Sequence, residues 1–201
     1  HMLRRLNCYR ESGQGGGIGK RKDCEMKNIV LIGMPGSGKS TIGVVLAKVL
    51  GYRFVDTDLV IQEQEGKLLQ EIIAERGNDG FLALEYDVNS RLDVSRSVIA
   101  TGGSVIYGRE AMEHLRKNGW VVYLKLDYED LKKRLGNLRC RGVVLREGQT
   151  LKDLYRERIP FYEKYAHIEI DEKNLGVEET MEEIVRRLPA LEDRTENHKV
   201  V

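Results

Sequence analysis

Gly33-Met34-Pro35-Gly36-Ser37-Gly38-Lys39-Ser40 is the stretch that decides the fold. It meets the pattern G-x-x-x-x-G-K-[ST] at every position. The apolar run Asn28-Ile29-Val30-Leu31-Ile32 precedes it and reads as a buried strand, and the run from Ser40 to Leu50 reads as an amphipathic helix. A phosphate-binding loop needs that strand–loop–helix setting. Glycines at 36 and 38 let successive backbone N–H groups curl inward around phosphate oxygens, and the helix adds its positive end. Gly36, Ser37, Gly38, Lys39, Ser40 and Thr41 are therefore the candidate nucleotide-binding residues. Lys39 would reach the β- and γ-phosphates of ATP, and the Ser40 hydroxyl would ligate Mg²⁺.

Working outward, short apolar strands alternate with helices. The expected strands are Ile29–Gly33, Arg53–Val55, Val98–Ala100, Val121–Leu126 and His167–Ile170. The expected helices are Lys39–Leu50, Leu59–Glu65, Leu68–Glu75, Gly80–Val94, Arg109–Lys117, Tyr128–Leu135, Thr150–Tyr165 and Val177–Leu188. In the last of these, Val177, Met181, Ile184 and Leu188 recur at helical spacing. The alternation implies an α/β fold in three layers, a parallel sheet of about five strands with helices on both faces. Residues 26–188 are expected to form this domain. Residues 136–149 lack periodicity and carry Gly, Arg and Cys, as a mobile lid would. Residues 1–25 read as a Gly-rich disordered tail or tag, and residues 189–201 as a frayed end. Gly13–Lys20 imitates a phosphate loop, but no strand precedes it.

Composition narrows the function classes. The 201 residues, 41% hydrophobic and 32% charged, suit one soluble domain with a real core. A formal net charge of +1 supplies no field for nucleic acid or a membrane surface, and no apolar run has the ~20 residues of a membrane span. No signal peptide is visible, so a cytoplasmic location is expected. Cys8, Cys24 and Cys140 have no metal-type spacing and fit reduced thiols. With no coiled coil or interface stripe, a monomer is expected.

The loop alone does not name the reaction. The switch and base-reading motifs of a signalling GTPase, D-x-x-G and N-K-x-D, are absent from the chain. Asp127, at the end of the apolar run Val121–Leu126, imitates the magnesium aspartate of a motor ATPase. Asp56-Thr57-Asp58 lies nearer the loop and competes better. On an extended segment these two carboxylates would face one cleft at the C-terminal edge of the sheet. Asp56 could then hold Mg²⁺ while Asp58 orients or deprotonates an acceptor hydroxyl.

At this point the chain resembles the shikimate kinases, over about residues 27–188. The landmarks are Gly33–Thr41, Phe54-Val55-Asp56-Thr57-Asp58, Gly66, Phe81-Leu82-Ala83-Leu84-Glu85, Thr101-Gly102-Gly103-Ser104, Arg134 with Gly136-Asn137, Arg141, and Arg158-Ile159-Pro160-Phe161-Tyr162. The resemblance implies ATP-dependent phosphorylation of shikimate to shikimate 3-phosphate, on the route to aromatic amino acids. It implies Asp56 on the magnesium side, Asp58 on the substrate hydroxyls, and Gly102 and Gly103 approaching substrate by backbone. It also implies Arg134 stacking on adenine, Arg141 closing from the lid over the phosphates, and Arg158 gripping the substrate carboxylate. Arg139 and Cys140 stand beside Arg141 without an assigned role.

One departure bears on the acceptor. The family pattern is F-R-x-x-E, and here Leu82 stands where the arginine should make a second carboxylate clamp. Leucine cannot form that charge-assisted fork, and its loss in a desolvated site costs on the order of 2–3 kcal/mol. Arg76, Arg91 or Arg96 could compensate. The alternatives are a sister kinase acting on another hydroxyl metabolite (a polyol, sugar acid or hydroxy amino acid), a nucleoside-monophosphate kinase, or a non-catalytic nucleotide-binding module.

Overall fold

The computed structural model describes residues 27–135 and 145–196. The tail 1–25, the thiols Cys8, Cys24 and Cys140, and the lid residues Arg139 and Arg141 lie outside the described residues.

Five parallel strands form one sheet in the order β2-β3-β1-β4-β5. These are β1 (Asn28–Ile32), β2 (Arg53–Asp56), β3 (Ser97–Ala100), β4 (Gly119–Lys125) and β5 (Ile168–Asp171). Among the described residues seven α-helices flank them: α1 (Lys39–Leu50), α2 (Thr57–Glu65), α3 (Leu69–Arg91), α4 (Arg109–Asn118), α5 (Tyr128–Leu135), α6 (Leu151–Tyr165) and α7 (Val177–Glu196). A short 3₁₀ turn occupies Val105–Tyr107.

β1 is central, and every one of its side chains is buried. Period-two alternation divides them between two cores. Val30 and Ile32 join Ile99, Val121 and Tyr123 under α4 and α6. Ile29 and Leu31 join Val98, Val122 and Leu124 under α1 and α7. A smaller apolar cluster of Ile61, Ile72, Phe81 and Val88 ties α2 to α3 outside the sheet. β1 pairs with β3 on one side and β4 on the other. The chain therefore reverses its winding at β1, and the crevice above the C-terminal end of that strand is where open α/β sheets bind ligands.

The expected elements are all present, with boundaries moved by a residue or two at most ends. Two differences carry physical content. The helices expected at 68–75 and 80–94 run on from one another as α3 across a kink at Gly77, whose φ of 68° and ψ of −179° interrupt the helix. α7 continues past Leu188 to Glu196, where a frayed end was expected. Among the described residues no helix is long and apolar enough to cross a membrane.

Candidate active site

The loop after β1 takes the phosphate-binding form. Gly36 and Gly38 have φ of 85° and 84°, a region L-residues avoid, so the motif's glycines are a backbone requirement. Gly38 is also the N-cap of α1 and makes no side-chain cap. The first-turn N–H groups thus lack the usual side-chain acceptor and point at the crevice, ready for an anion. Ser37 is fully buried, and among the described residues its Oγ has no hydrogen-bond partner. Lys39 is 8% exposed and folds back, its Nζ donating to the carbonyls of Gly33 and Met34 at 2.9 Å each. Burial pulls its ammonium down to about 8, against the attraction of Asp58.

The acidic pair sits beside it, although not as the extended-strand argument required. Only Asp56 is in the strand; Thr57 begins α2, and Asp58 stands in its first turn. Asp56 is the N-cap, its Oδ1 accepting from Asp58 N at 3.1 Å. The strand-to-helix turn, rather than strand alternation, brings both carboxylates to the cavity. Asp56 Oδ2 accepts from Ser40 Oγ at 2.7 Å. Burial, and then Asp56, push Asp58 up to about 6, with Lys39 opposing. Asp127, the rejected rival, caps α5 instead through its Oδ1 and Asp130 N at 2.8 Å.

A cavity of about 560 Å³ gathers most of the expected residues. Gly36, Gly38, Lys39, Ser40 and Thr41 line its nucleotide end with Arg134, and Asp56, Asp58, Gly102 and Gly103 line the rest. Arg134 Nη1 donates to Glu172 Oε2 at 3.2 Å. Glu172 is 3% exposed, and burial raises it to about 7 against the pull of Arg134. Sequence reasoning missed Glu172. The available signal was its place one residue beyond β5, at the ligand-binding edge of the sheet.

Glycine at 102 and 103 answers to neighbouring side chains. A Cβ at Gly102 would collide with Glu85 Oε1, and one at Gly103 would come within 2.8 Å of Arg158 Nη1. Glu85 is 1% exposed; Ser104 Oγ donates to its Oε2, while its Oε1 has no hydrogen-bond partner among the described residues. Burial raises this carboxyl to about 7, against the Ser104 hydrogen bond. The Thr101 hydroxyl turns into the sheet and donates to Leu31 O at 2.9 Å.

Arg158, which the resemblance places on the substrate carboxylate, is 3% exposed. It lines a neighbouring cavity of about 490 Å³, behind Gly103, together with Leu82, Arg76 and Tyr107. Of the three arginines that could replace the one missing at 82, only Arg76 reaches this cavity, and it pairs with Glu65. Arg91 pairs with Asp87 on the exposed face of α3. Arg96 lies at the opposite, N-terminal edge of the sheet, its carbonyl accepting from Arg53 N.

Sequence comparison agrees with this geometry. The profile of the family described as Shikimate kinase matches residues 35–189. A shikimate kinase of Clostridium botulinum (strain 657 / Type Ba4) is 42% identical over 166 residues, which is 80% of this chain and 95% of the relative. One from Thermobifida fusca (strain YX) is 37% identical, covering 82% of this chain and 96% of its own. The solved shikimate kinase from Acinetobacter baumannii in complex with shikimate superposes with a TM-score of 0.72 at 31% identity, over 88% of this chain and 96% of its own. A phosphate loop with an uncapped helix, a half-buried acidic couplet over it and matches of this extent have one reading: this chain belongs to the shikimate kinase family.

Proposed function

We propose that this chain transfers the γ-phosphoryl group of ATP to a hydroxyl of shikimate, giving shikimate 3-phosphate. The observation that carries the reading is one cavity in which the open N-terminus of α1 and Lys39 face the half-buried carboxyl of Asp58. A protein that only bound nucleotide would have no use for a second, desolvated carboxylate beside the phosphate loop.

The N–H groups of the loop and Lys39 hold the phosphates and take up the negative charge that grows on the transferring oxygens. To do so Lys39 exchanges its bonds to Gly33 O and Met34 O for phosphate oxygens. Asp58 accepts the hydrogen bond of the acceptor hydroxyl, orients it in line, and takes its proton as the new O–P bond forms. Its raised pKa, about 6, makes it a stronger base than a solvated aspartate while leaving it ionised at neutral pH. Arg134 is read as the adenine-stacking side chain and Arg158 as the grip on the acceptor carboxylate. Arg141 would close over the phosphates from the lid.

The donor set fits Mg²⁺. Among the described residues no three His, Cys, Asp or Glu side chains converge as a metal cage. Ser40 Oγ and Asp56 Oδ2, 2.7 Å apart at the cavity wall, are a two-oxygen site of the kind Mg²⁺ shares with phosphates and water. When bound, the ion neutralises phosphate charge. The chain is read as acting as a monomer in the cytoplasm.

Leu82 favours a second reading, in which the same machinery phosphorylates another hydroxyl compound. An ATP-consumption assay across shikimate, polyols, sugar acids and hydroxy amino acids separates the two. Turnover with shikimate and release of its phosphate ester are expected. Turnover only with another acceptor would replace shikimate in the proposal.

A further inference from the structure

Arg158 is a buried guanidinium that forms no ion pair among the described residues. A buried cation without an anion is costly, and this one borders a cavity. Two tyrosine hydroxyls face it: Tyr162 interacts with the guanidinium from its own helix, and Tyr107 Oη accepts from Nε at 3.3 Å, with the guanidinium carbon 5.5 Å from the centre of the Tyr107 ring. Tyr107 is itself held on two sides. Its hydroxyl donates to Glu157 Oε1 at 2.7 Å, and its ring meets the Phe161 ring edge-on at 5.7 Å.

The directions of these bonds are forced. A guanidinium only donates and a carboxylate only accepts, so the single Tyr107 proton must go to Glu157, leaving an oxygen lone pair for Arg158. Glu157 is anchored from the far side by Gln149 Nε2, which donates to its Oε2 at 2.9 Å, and by Arg146 at 3.8 Å. Without the Tyr107 hydroxyl, Arg158 Nε loses its acceptor. Glu157 Oε1, in the adjacent residue of the helix, loses its donor at the same time.

We propose that Tyr107 is a positioning residue for the acceptor: its hydroxyl, fixed by Glu157, holds the Arg158 guanidinium apart from protein carboxylates and turned to receive the carboxylate of the substrate. The assignment rests on the reaction proposed above. It gives this chain a physical answer to Leu82. With no cation at 82, Arg76 committed to Glu65 and Arg146 beside Glu157, acceptor recognition depends on how well the Arg158 guanidinium, which forms no ion pair among the described residues, is held.

The test is steady-state kinetics of Tyr107→Phe against wild type, with shikimate and with its carboxamide, which lacks the anionic group. The expected result is a KM for shikimate raised about tenfold, the low end for a hydrogen bond to a charged group. The kcat, the KM for ATP and the KM for the carboxamide should stay within about twofold. Glu157→Ala, which keeps the ring and hydroxyl of Tyr107, should show the same split at about threefold, and it serves if Tyr107→Phe does not fold. An unchanged KM for shikimate, or equal losses with both acceptors, overturns the inference and leaves the reaction standing. Wild-type protein inactive on shikimate overturns the reaction, and the inference with it.

Discussion

The two ends of the cleft are built in different ways. The donor end comes from one continuous piece of chain, the turn between β1 and α1, whose functional groups are mostly backbone N–H. The acceptor end is collected from the start of α2, the middle of α3, the loop and 3₁₀ turn after β3, and α6. Its functional groups are side chains, and each depends on a neighbour: Asp58 on the Asp56 cap, Glu85 on Ser104, Arg158 on Tyr107. Backbone geometry tolerates little variation, whereas a side-chain constellation can be rebuilt one residue at a time. That is why the donor end matches its motif in full and the departure, Leu82, falls at the acceptor end.

Mutations can break this contrast. The largest effect is expected at the donor end: Lys39→Ala should lower kcat by at least ~10²-fold, the scale for removing one electrostatic stabiliser. Near-full activity in a rapid-quench or coupled assay would remove Lys39 from the mechanism. Asp58→Asn should come next, lowering kcat/KM for the acceptor on the order of 10²-fold while ATP affinity changes little. Calorimetric titration with ATP–Mg²⁺ checks the separation, since an equal loss of ATP binding would mean that the two ends are one unit. Wild-type kcat/KM should also rise with pH through about 6, as Asp58 ionises, and Asp58→Asn should remove that limb.

Two smaller effects sharpen the acceptor end. Leu82→Arg should lower the KM for shikimate by about tenfold, because it adds a cation not committed to a protein carboxylate to the cavity lined by Arg158. An unchanged or raised KM favours the other-acceptor reading. Glu85→Gln probes stability. The folded protein holds this carboxyl at about 7, above its ordinary 4.5. Between those values the folded state binds the proton that the unfolded state has released, so stability declines as pH rises through this window and levels off above 7. The Tm difference between Glu85→Gln and wild type should therefore move in favour of the variant from pH 4.5 to 8. A pH-independent difference would show that Glu85 does not titrate there.

The contrast also sets what could be read in advance. The strand, loop and helix at 28–50 were legible because the hydrophobic period, the glycines and Lys39 all lie within one local segment. The site's second half was legible only through the resemblance, and its local arguments partly failed. Asp56 and Asp58 converge through a capped helix start and not along an extended strand, because Asp56 ends β2 by taking the N–H of Asp58. Arg158 carries no sequence mark of burial; α6 packs it beneath Gly103, a contact between residues 55 positions apart. Glu172 and Tyr107 gave still less warning. Each is polar, at or next to an element's end, and meets an arginine distant in the sequence.

What the sequence determined by itself was the layered parallel sheet, the phosphate loop and the family, since strand alternation, helix period and a glycine-dependent turn are short-range properties of the chain. The tertiary structure alone decided which charges are buried, which carboxyls are held near neutrality and which buried arginine forms no ion pair among the described residues. Those outcomes follow from desolvation and from contacts between elements far apart in the chain, and no local pattern of residues encodes them.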